Sequence, residues 1–488
     1  MEEEPEESVS LAVAEWVAGF AATSYGPAGG AKLVEAAEGG GRILRSAASA
    51  LREAGLTSPD LQPFVELAAA VQEHAGDQAT TALLLAARLV ARAHTGLQSG
   101  VPRAAWLDGY ALALRQCRAA LSAMARPDPD GKALGSVVPG QTDLARLAWE
   151  GVRTLDGGDG TLRLDMVDVR AEGTDAPPQW LPGVVLEPQF VPKAPQDRDV
   201  KVLLLADGWK PGPWRQEFSY RMTAAHDLSA WTGMEDARRQ SAVAHVLGLG
   251  AGLVVCAQEV DPDVAQSLAN QGVTVWNDAP LSALDRIGRA TGATRTSRLL
   301  HATAAELGKG RLRAEPAPGR GRKRWLLQAG PSSTLVVPAR TAVGQDAAKD
   351  DAERLLRAVG VHLRDPMSVP GGGRWQRELA RSLRAAADAA PGKSPIPVRE
   401  AARALDALAD DLVRNAGKDP LSTPLLADAH HVLDVAPAVR IAVVAAFEMA
   451  LQVLRIDARY RKRSSDGPWL RGGDKASLVE GGDVPPLM

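Results

Sequence analysis

A chain of 488 residues, 45% apolar and 24% charged, has the length for roughly two to four domains and enough apolar residues to bury a core. Its formal charge of −3 excludes nucleic-acid binding by bulk charge. Two cysteines, Cys117 and Cys256, exclude a disulfide framework or a zinc ribbon and indicate a reduced compartment.

The start, Met1-Glu2-Glu3-Glu4-Pro5-Glu6-Glu7, is acidic, the reverse of a secretory leader. No stretch is free of charge for long enough to cross a bilayer, so the expectation is a soluble cytoplasmic protein without a membrane partner. Apolar positions recur at helical spacing over 8–24, 41–54, 61–74, 80–94 and 104–124. Residues 126–142 are a Pro/Gly/Asp-rich break. A helix over 143–154 follows, then a strand over 161–169. Short β-rich runs at 183–186, 202–205, 253–256 and 273–276 alternate with helical runs at 226–247, 261–270 and 281–291, the pattern of an α/β unit. After a loop at 316–324 and a strand at 334–337, helices return at 346–363, 374–389, 397–415, 422–433 and 436–456. The tail, 464–488, is rich in Gly, Pro and Ser and reads as mobile. The two outer helical segments need each other to bury their faces, so the middle is an insertion reached through two crossovers.

Two glycine-rich stretches stand out. Val369-Pro370-Gly371-Gly372-Gly373 directly precedes a helical run, where bare backbone N–H groups can cradle a phosphate or ribose. Tyr25-Gly26-Pro27-Ala28-Gly29-Gly30 is a second cradle near the other end of the chain. Other motifs read as ordinary structure. Gly248-Leu249-Gly250-Ala251-Gly252 follows a helix and precedes a strand, the reverse of a dinucleotide loop, and is a turn. Asp159-Gly160-Thr161 is a hairpin turn. His430 and His431 are adjacent and cannot share a metal from one helix face. The basic runs at 319–324 and 459–463 are a solvated loop and a helix end, so no nucleic-acid partner is expected.

Several blocks together resemble the group II chaperonins, the thermosome and eukaryotic cytosolic chaperonin family. Gly26-Pro27, Gly29 and Lys32 are similar to that family's first phosphate loop. Ala75-Gly76-Asp77-Gln78-Ala79-Thr80-Thr81-Ala82 is similar to its Gly-Asp-Gly-Thr-Thr loop. Ser99-Gly100-Val101-Pro102 before Asp108-Gly109-Tyr110, the stretch 255–293, Glu306-Leu307-Gly308, Val369–Gly373 with Glu378-Leu379-Ala380, Asn415–Pro420 and Leu454–Asp457 follow in the family's order.

The resemblance implies an α+β multidomain, chaperonin-like subunit. An all-helical discontinuous equatorial domain (1–135 and 370–488) would hold ATP or ADP with Mg²⁺. A small mixed intermediate domain (136–182 and 332–369) would link it to an α/β apical domain (183–331), whose helical protrusion over 224–249 would form a lid. The resemblance places Gly26, Pro27, Gly29, Gly76, Asp77, Thr80, Thr81, Gly371, Gly372, Gly373 and Asp434 at the nucleotide and Asp77 on the metal. Asp77 also reads as a cap for the next helix, and Asp434 as a cap for the last. Phosphoryl transfer needs carboxylates for the metal and the water. The family's second acid aligns with Glu38-Gly39-Gly40 and its third with Arg354, while Ala28 stands where lysine is usual. No catalytic residue is therefore assigned, and binding without efficient hydrolysis is expected.

As partners, the resemblance implies non-native client proteins or a specific protein partner, and self or paralogous subunits in a ring. Trp209, Trp214, Phe218 and Trp231 are the apolar groups expected to capture them. The alternative is a chaperonin-derived adaptor or scaffold without a folding cycle; a non-hydrolytic subunit of a mixed ring lies between the two.

Overall fold

The structure, a computed structural model, describes residues 6–35, 41–55, 58–155, 163–193, 197–210, 225–318, 323–389, 395–425 and 430–456, with backbone alone for 6–10 and 225–231. The expected hairpin turn at 159–161, the side chains of Trp214, Phe218 and Trp231, the basic run 459–463 and the tail lie outside this description.

Helix Ala79–Gln98 has Ala82 to Ala87 fully buried, so it must sit inside a bundle. Helices Glu6–Ala22, Gln62–Ala75, Pro395–Asn415 and Ala436–Leu454 surround it, and Arg103–Met124 and Arg374–Ala389 complete the body. Residues from both chain ends thus share one core, from Ala14 to Leu454. Arg88 pairs with Asp411, and Arg92 with Glu400 at 2.7 Å, tying the two ends together. Helix Ala436–Leu454 is long and apolar enough to span a bilayer, but Ala442, Ala446, Phe447 and Ala450 are buried in this core.

Tyr110 stands edge-on to Trp106 and Phe447, at 5.4 and 5.9 Å, and donates its hydroxyl to the Leu89 carbonyl at 2.8 Å. Gly96 lies flat against the Trp106 indole, where a Cβ would overlap the ring. Gly96→Ala is therefore expected to cost about 1–3 kcal/mol. A thermal midpoint unchanged from wild type would refute that packing.

The helical body also carries strands. Lys32–Glu35 and Gly41–Leu44 form an antiparallel hairpin that pairs Leu33 with Ile43. The expected helix over 41–54 is correct only for Ala47–Glu53: Ser46 caps that helix, accepting from Ser49 N at 3.3 Å, and the residues before it have a strand partner. The expected helix over 422–433 is absent among its described residues. Leu433–Val435 is instead a strand, held beside Met367–Pro370. Met367–Pro370 also pairs with Arg126–Pro127, so the two crossovers to the middle of the chain run hydrogen-bonded side by side.

Beyond the crossovers, Ser333–Pro338 lies between Val167–Glu172 and Gln179–Pro182 in a three-stranded sheet. Helix Ala342–Arg364 starts beside this sheet, capped by Thr341, and ends in the helical body. The outermost sheet has the order Val184–Leu186, Lys323–Gln328, Gly308–Pro316, Arg198–Leu205, Ala251–Cys256 and Thr274–Trp276, with Arg295–Thr296 beside Arg198–Leu205. Its parallel part alternates with helices Ala225–Leu249, Pro262–Asn270 and Leu281–Thr291. Both faces are buried: Val202, Leu204, Leu253 and Ile287 fill one core, and Leu203, Leu205, Val254 and Leu268 the other.

The hairpin of Gly308–Pro316 and Lys323–Gln328 takes up Pro316, Lys323 and Arg324 from the loop expected at 316–324, whose residues 317 and 318 are loop as expected. Within it, Arg324 is buried and grips Glu172 of the three-stranded sheet through Nη2–Oε2 at 2.6 Å and Nε–Oε1 at 3.0 Å. It is therefore not part of a solvated basic loop. Trp209 is also buried, in the core behind the outer sheet, and is not part of an exposed apolar patch.

Candidate functional site

Three loops converge where the chain ends meet. The first closes helix Glu6–Ala22. Gly26 has φ +80, and a Cβ there would strike Leu412. Gly29 donates to the Gly26 carbonyl at 3.1 Å and Gly30 to that of Thr23 at 2.8 Å. Asn415 Nδ2 donates to the Ala22 and Tyr25 carbonyls, both at 2.8 Å, and fixes the loop to the C-terminal half of the chain. Pro27 lies between the two glycines. Lys32 does not face the loop's interior: its Nζ donates to Thr23 Oγ1 at 2.5 Å and lies 4.8 Å from the Phe20 ring centre.

The second loop is Gly76–Gln78. Gly76 is left-handed, and its missing side chain lets the backbone of helix Ala342–Arg364 approach: a Cβ would come within 2.5 Å of the Arg354 carbonyl. Gln78 is also left-handed, at φ +65, a conformation that side chains rarely adopt. Its amide bridges the loop, donating to Asp77 Oδ2 at 3.1 Å and accepting from Thr81 Oγ1 at 2.7 Å. Asp77 is therefore not the cap of helix Ala79–Gln98, whose capping position is Gln78. Thr80 faces Ser46, hydroxyl to hydroxyl, at 3.4 Å.

The third loop is Gly371–Gly373. Gly371 N donates to the Val432 carbonyl at 2.9 Å, so this N–H is not bare. A Cβ on Gly371 would meet Asp434 Oδ1 at 2.7 Å, so glycine is needed here for the carboxylate's approach. Asp434 is in the strand before the last helix and does not cap it; Val435 takes that position. Its Oδ2 accepts from the Trp375 indole at 2.9 Å.

Tyr25 joins all three loops. Its hydroxyl oxygen accepts from Gln376 Nε2 at 3.1 Å and lies 3.4 Å from Thr81 Oγ1. Burial pushes the phenol up to about 12. Nearby, Ser24 Oγ and Gln376 Oε1 are buried with no hydrogen-bond partner.

The electrostatics centre on Arg354. Its Nη2 is 2.6 Å from Asp351 Oδ1 and its Nε 3.8 Å from Asp350 Oδ2, while Ser49 Oγ donates to Asp350 at 3.4 Å. Burial raises the Asp77 carboxyl, and the Arg354 charge opposes that rise. Burial, with the Asp77 charge adding to it, pushes Asp434 up to about 6. Glu353 points elsewhere and pairs with Arg357 at 3.8 Å. Glu38 lies outside the described residues. Among the described residues, no three His, Cys, Asp or Glu side chains converge to hold an ion.

Residues 17–431 match the model of the TCP-1/cpn60 chaperonin family. The chain belongs to that family. This chaperonin chain is 24% identical to thermosome subunit alpha of Thermoplasma acidophilum over 97% of its own length and 94% of the relative's. It is 26% identical to thermosome subunit beta of Desulfurococcus mucosus, covering 84% and 86% of the two chains. It is 25% identical to the thermosome subunit of Pyrococcus horikoshii, covering 87% and 81%. The fold is that of a multidomain, chaperonin-like subunit of mixed helices and sheets.

Of the residues picked out in this chaperonin's sequence, Gly26, Pro27, Gly29, Gly76, Asp77 and Gly371–Gly373 lie in the three loops, Thr80 and Thr81 in the first turn of helix Ala79–Gln98, and Asp434 in the strand beside Gly371. Sequence reasoning missed Tyr25, Ser46, Gln78, Trp375 and Gln376 as parts of the site. Tyr25 adjoins Gly26-Pro27 and Trp375-Gln376 adjoins the glycine run, and adjacency was the available signal. Nothing in the linear pattern showed that Tyr25 meets Gln376.

Proposed function

We propose that this chaperonin-like folding subunit binds ATP or ADP where the three loops meet, with impaired hydrolysis, and holds non-native or partner proteins through its apical segment. The observation that carries the first part is the placement of Arg354 beside Asp77. An arginine cannot accept a proton or ligate a metal. Here it neutralises the Asp350, Asp351 and Asp77 cluster, while the Gln78 amide occupies Asp77 Oδ2.

The residues fit a nucleotide. Left-handed glycines let phosphates approach the backbone, and the orphaned Ser24 Oγ and Gln376 Oε1 leave a buried donor and acceptor for a sugar or phosphate group. Asp434 is positioned to accept from a ribose hydroxyl. They fit Mg²⁺ through one carboxylate, Asp77. When bound between phosphates, the ion would neutralise their charge. Positioning a water in line needs a further acid; Asp350 and Asp351 are held by Arg354, and Asp434 accepts from the Trp375 indole. Steady-state phosphate release from the purified protein is expected to stay at background, unchanged by Asp77→Ala, while a fluorescent ATP analogue binds weakly. Robust release that Asp77→Ala abolishes would overturn this reading.

The apical segment, 183–331, carries the second part. Helix Ala225–Leu249 packs through Ala242 and Val246, whereas its residues 232–241 are mostly exposed, as a projecting lid requires. Met234 and Leu281 are more than half exposed. They take the capture role expected of the tryptophans. The full chain is expected to suppress aggregation of a denatured protein, and Met234→Glu with Leu281→Glu to lose most of that effect. Domain limits at 135/136, 182/183, 331/332 and 369/370, assembly in a ring and a cytoplasmic location complete the proposal. Light scattering with and without ATP and Mg²⁺ tests assembly: a ring-sized particle supports it, and a 51.3 kDa monomer with one stoichiometric partner favours the adaptor reading.

A further inference from the structure

On the outer sheet, at the end where the parallel strands begin, lies an open cleft of about 780 Å³. Its lining includes Arg198, Lys201, Lys309 and Arg311 against a single acid, Asp199. Strand register makes the imbalance acute. Lys201 and Lys309 are directly opposite each other on neighbouring antiparallel strands, so both ammonium groups leave the same face of the sheet. Like charges placed directly opposite destabilise a sheet unless something lies between them. No carboxylate among the described residues pairs with either: Lys201 Nζ reaches only the Leu249 carbonyl, at 3.4 Å.

Of the acids nearby, Asp197 is engaged by arginines and Asp199 forms no ion pair with either lysine. Asp197 Oδ1 takes Arg311 Nε at 2.7 Å, and its Oδ2 is 3.4 Å from Arg313. Asp199 is opposite Arg311 in the ladder. Arg198 donates to the Gly272 carbonyl, and its Nε is buried without a partner. Two left-handed glycines border the cations at ordinary contact distance. A Cβ on Gly250 would lie 3.5 Å from Lys201 Nζ, and one on Gly272 would lie 3.8 Å from Arg198 Nη1. The floor is therefore open backbone, ringed by positive charge.

We propose that this cleft binds a phosphate-class oxyanion, a compact group with at least two negative charges that bridges Lys201 and Lys309. A phosphate group fits because several oxygens on one centre can accept from two ammoniums at once. It can come from a free phosphorylated small molecule or from a phosphorylated side chain on a bound polypeptide. The inference concerns the outer sheet and is independent of nucleotide binding between the loops.

The test uses the full chain in phosphate-free buffer at low salt, titrated with inorganic pyrophosphate by calorimetry in the presence of saturating ATP analogue. The expected result is salt-sensitive binding that weakens about tenfold in Lys309→Gln and in Lys201→Gln. A stability readout separates a ligand site from a structural one. Lys309→Gln removes the like-charge pair, so it is expected to raise the thermal midpoint without anion and to lose the gain that pyrophosphate gives wild type. A phosphoserine peptide and its unphosphorylated form then distinguish the two sources. The proposal is overturned by absence of pyrophosphate binding, by binding that the lysine variants leave intact, by competition with the ATP analogue, or by preference for an oligoglutamate peptide over pyrophosphate.

Discussion

Arg354→Ala is expected to destabilise the helical body by about 3–5 kcal/mol, because it leaves buried carboxylates without their counter-charge. Asp351 accepts from Arg354 at 2.6 Å, Asp350 lies 3.8 Å from its Nε, and Asp77 feels its field; the guanidinium side chain is 13% exposed. Arg354→Lys keeps the charge and loses the fork, so it should recover only part of the loss. Urea titrations at pH 7, followed by tryptophan fluorescence, measure both losses. A loss in Arg354→Lys as large as that in Arg354→Ala would mean that the charge plays no part.

Asp434→Asn should act in the opposite direction. Burial first, and the Asp77 charge second, raise the Asp434 carboxyl from 3.8 to about 6. Between those values the folded protein retains a proton that the unfolded chain has released. The stabilising contribution is complete below pH 3.8 and is lost as pH climbs through about 6. A shift of this size corresponds to roughly 3 kcal/mol. Asparagine cannot ionise and still offers an oxygen to the Trp375 indole. The variant is expected to be more stable than wild type at pH 7.5, by up to that amount, and indistinguishable at pH 4. An unaltered pH profile would mean that Asp434 is not the titrating group. If Asp434 also reads a ribose, the same variant gains stability while binding the ATP analogue less tightly.

Sequence and structure agree where one segment decides its own conformation. Helices such as Gln62–Ala75 and Leu281–Thr291 carry their periodicity locally, and Gly76 and Gly292 close them in the left-handed region. They diverge where a distant partner decides. Gly41–Leu44 is a strand because Lys32–Glu35 lies beside it. Gly308–Pro316 alternates Lys and Arg with small residues and has no apolar signature of its own, yet two neighbours hold it in the sheet. The site divides the same way. Its glycines and Asp77 were readable as motifs, whereas Tyr25 meets Gln376 across 351 positions of sequence. The neutralising of Asp77 is likewise a tertiary event, since Arg354 lies on a separate helix.

Helix Ala342–Arg364 touches the Gly76 backbone just past its middle, at Arg354 to Ala358, and starts beside the three-stranded sheet. Its 23 residues make a rod of about 35 Å. Such a rod is a mechanical lever with its short arm at the Asp77 loop. A tilt of about 5° at Gly76 moves the start of the helix, about 20 Å away, by about 2 Å. Sub-ångström changes around Asp77 would thus be magnified along a single stiff element, and Gly76, which has no side chain to act as a buffer, sets the gain.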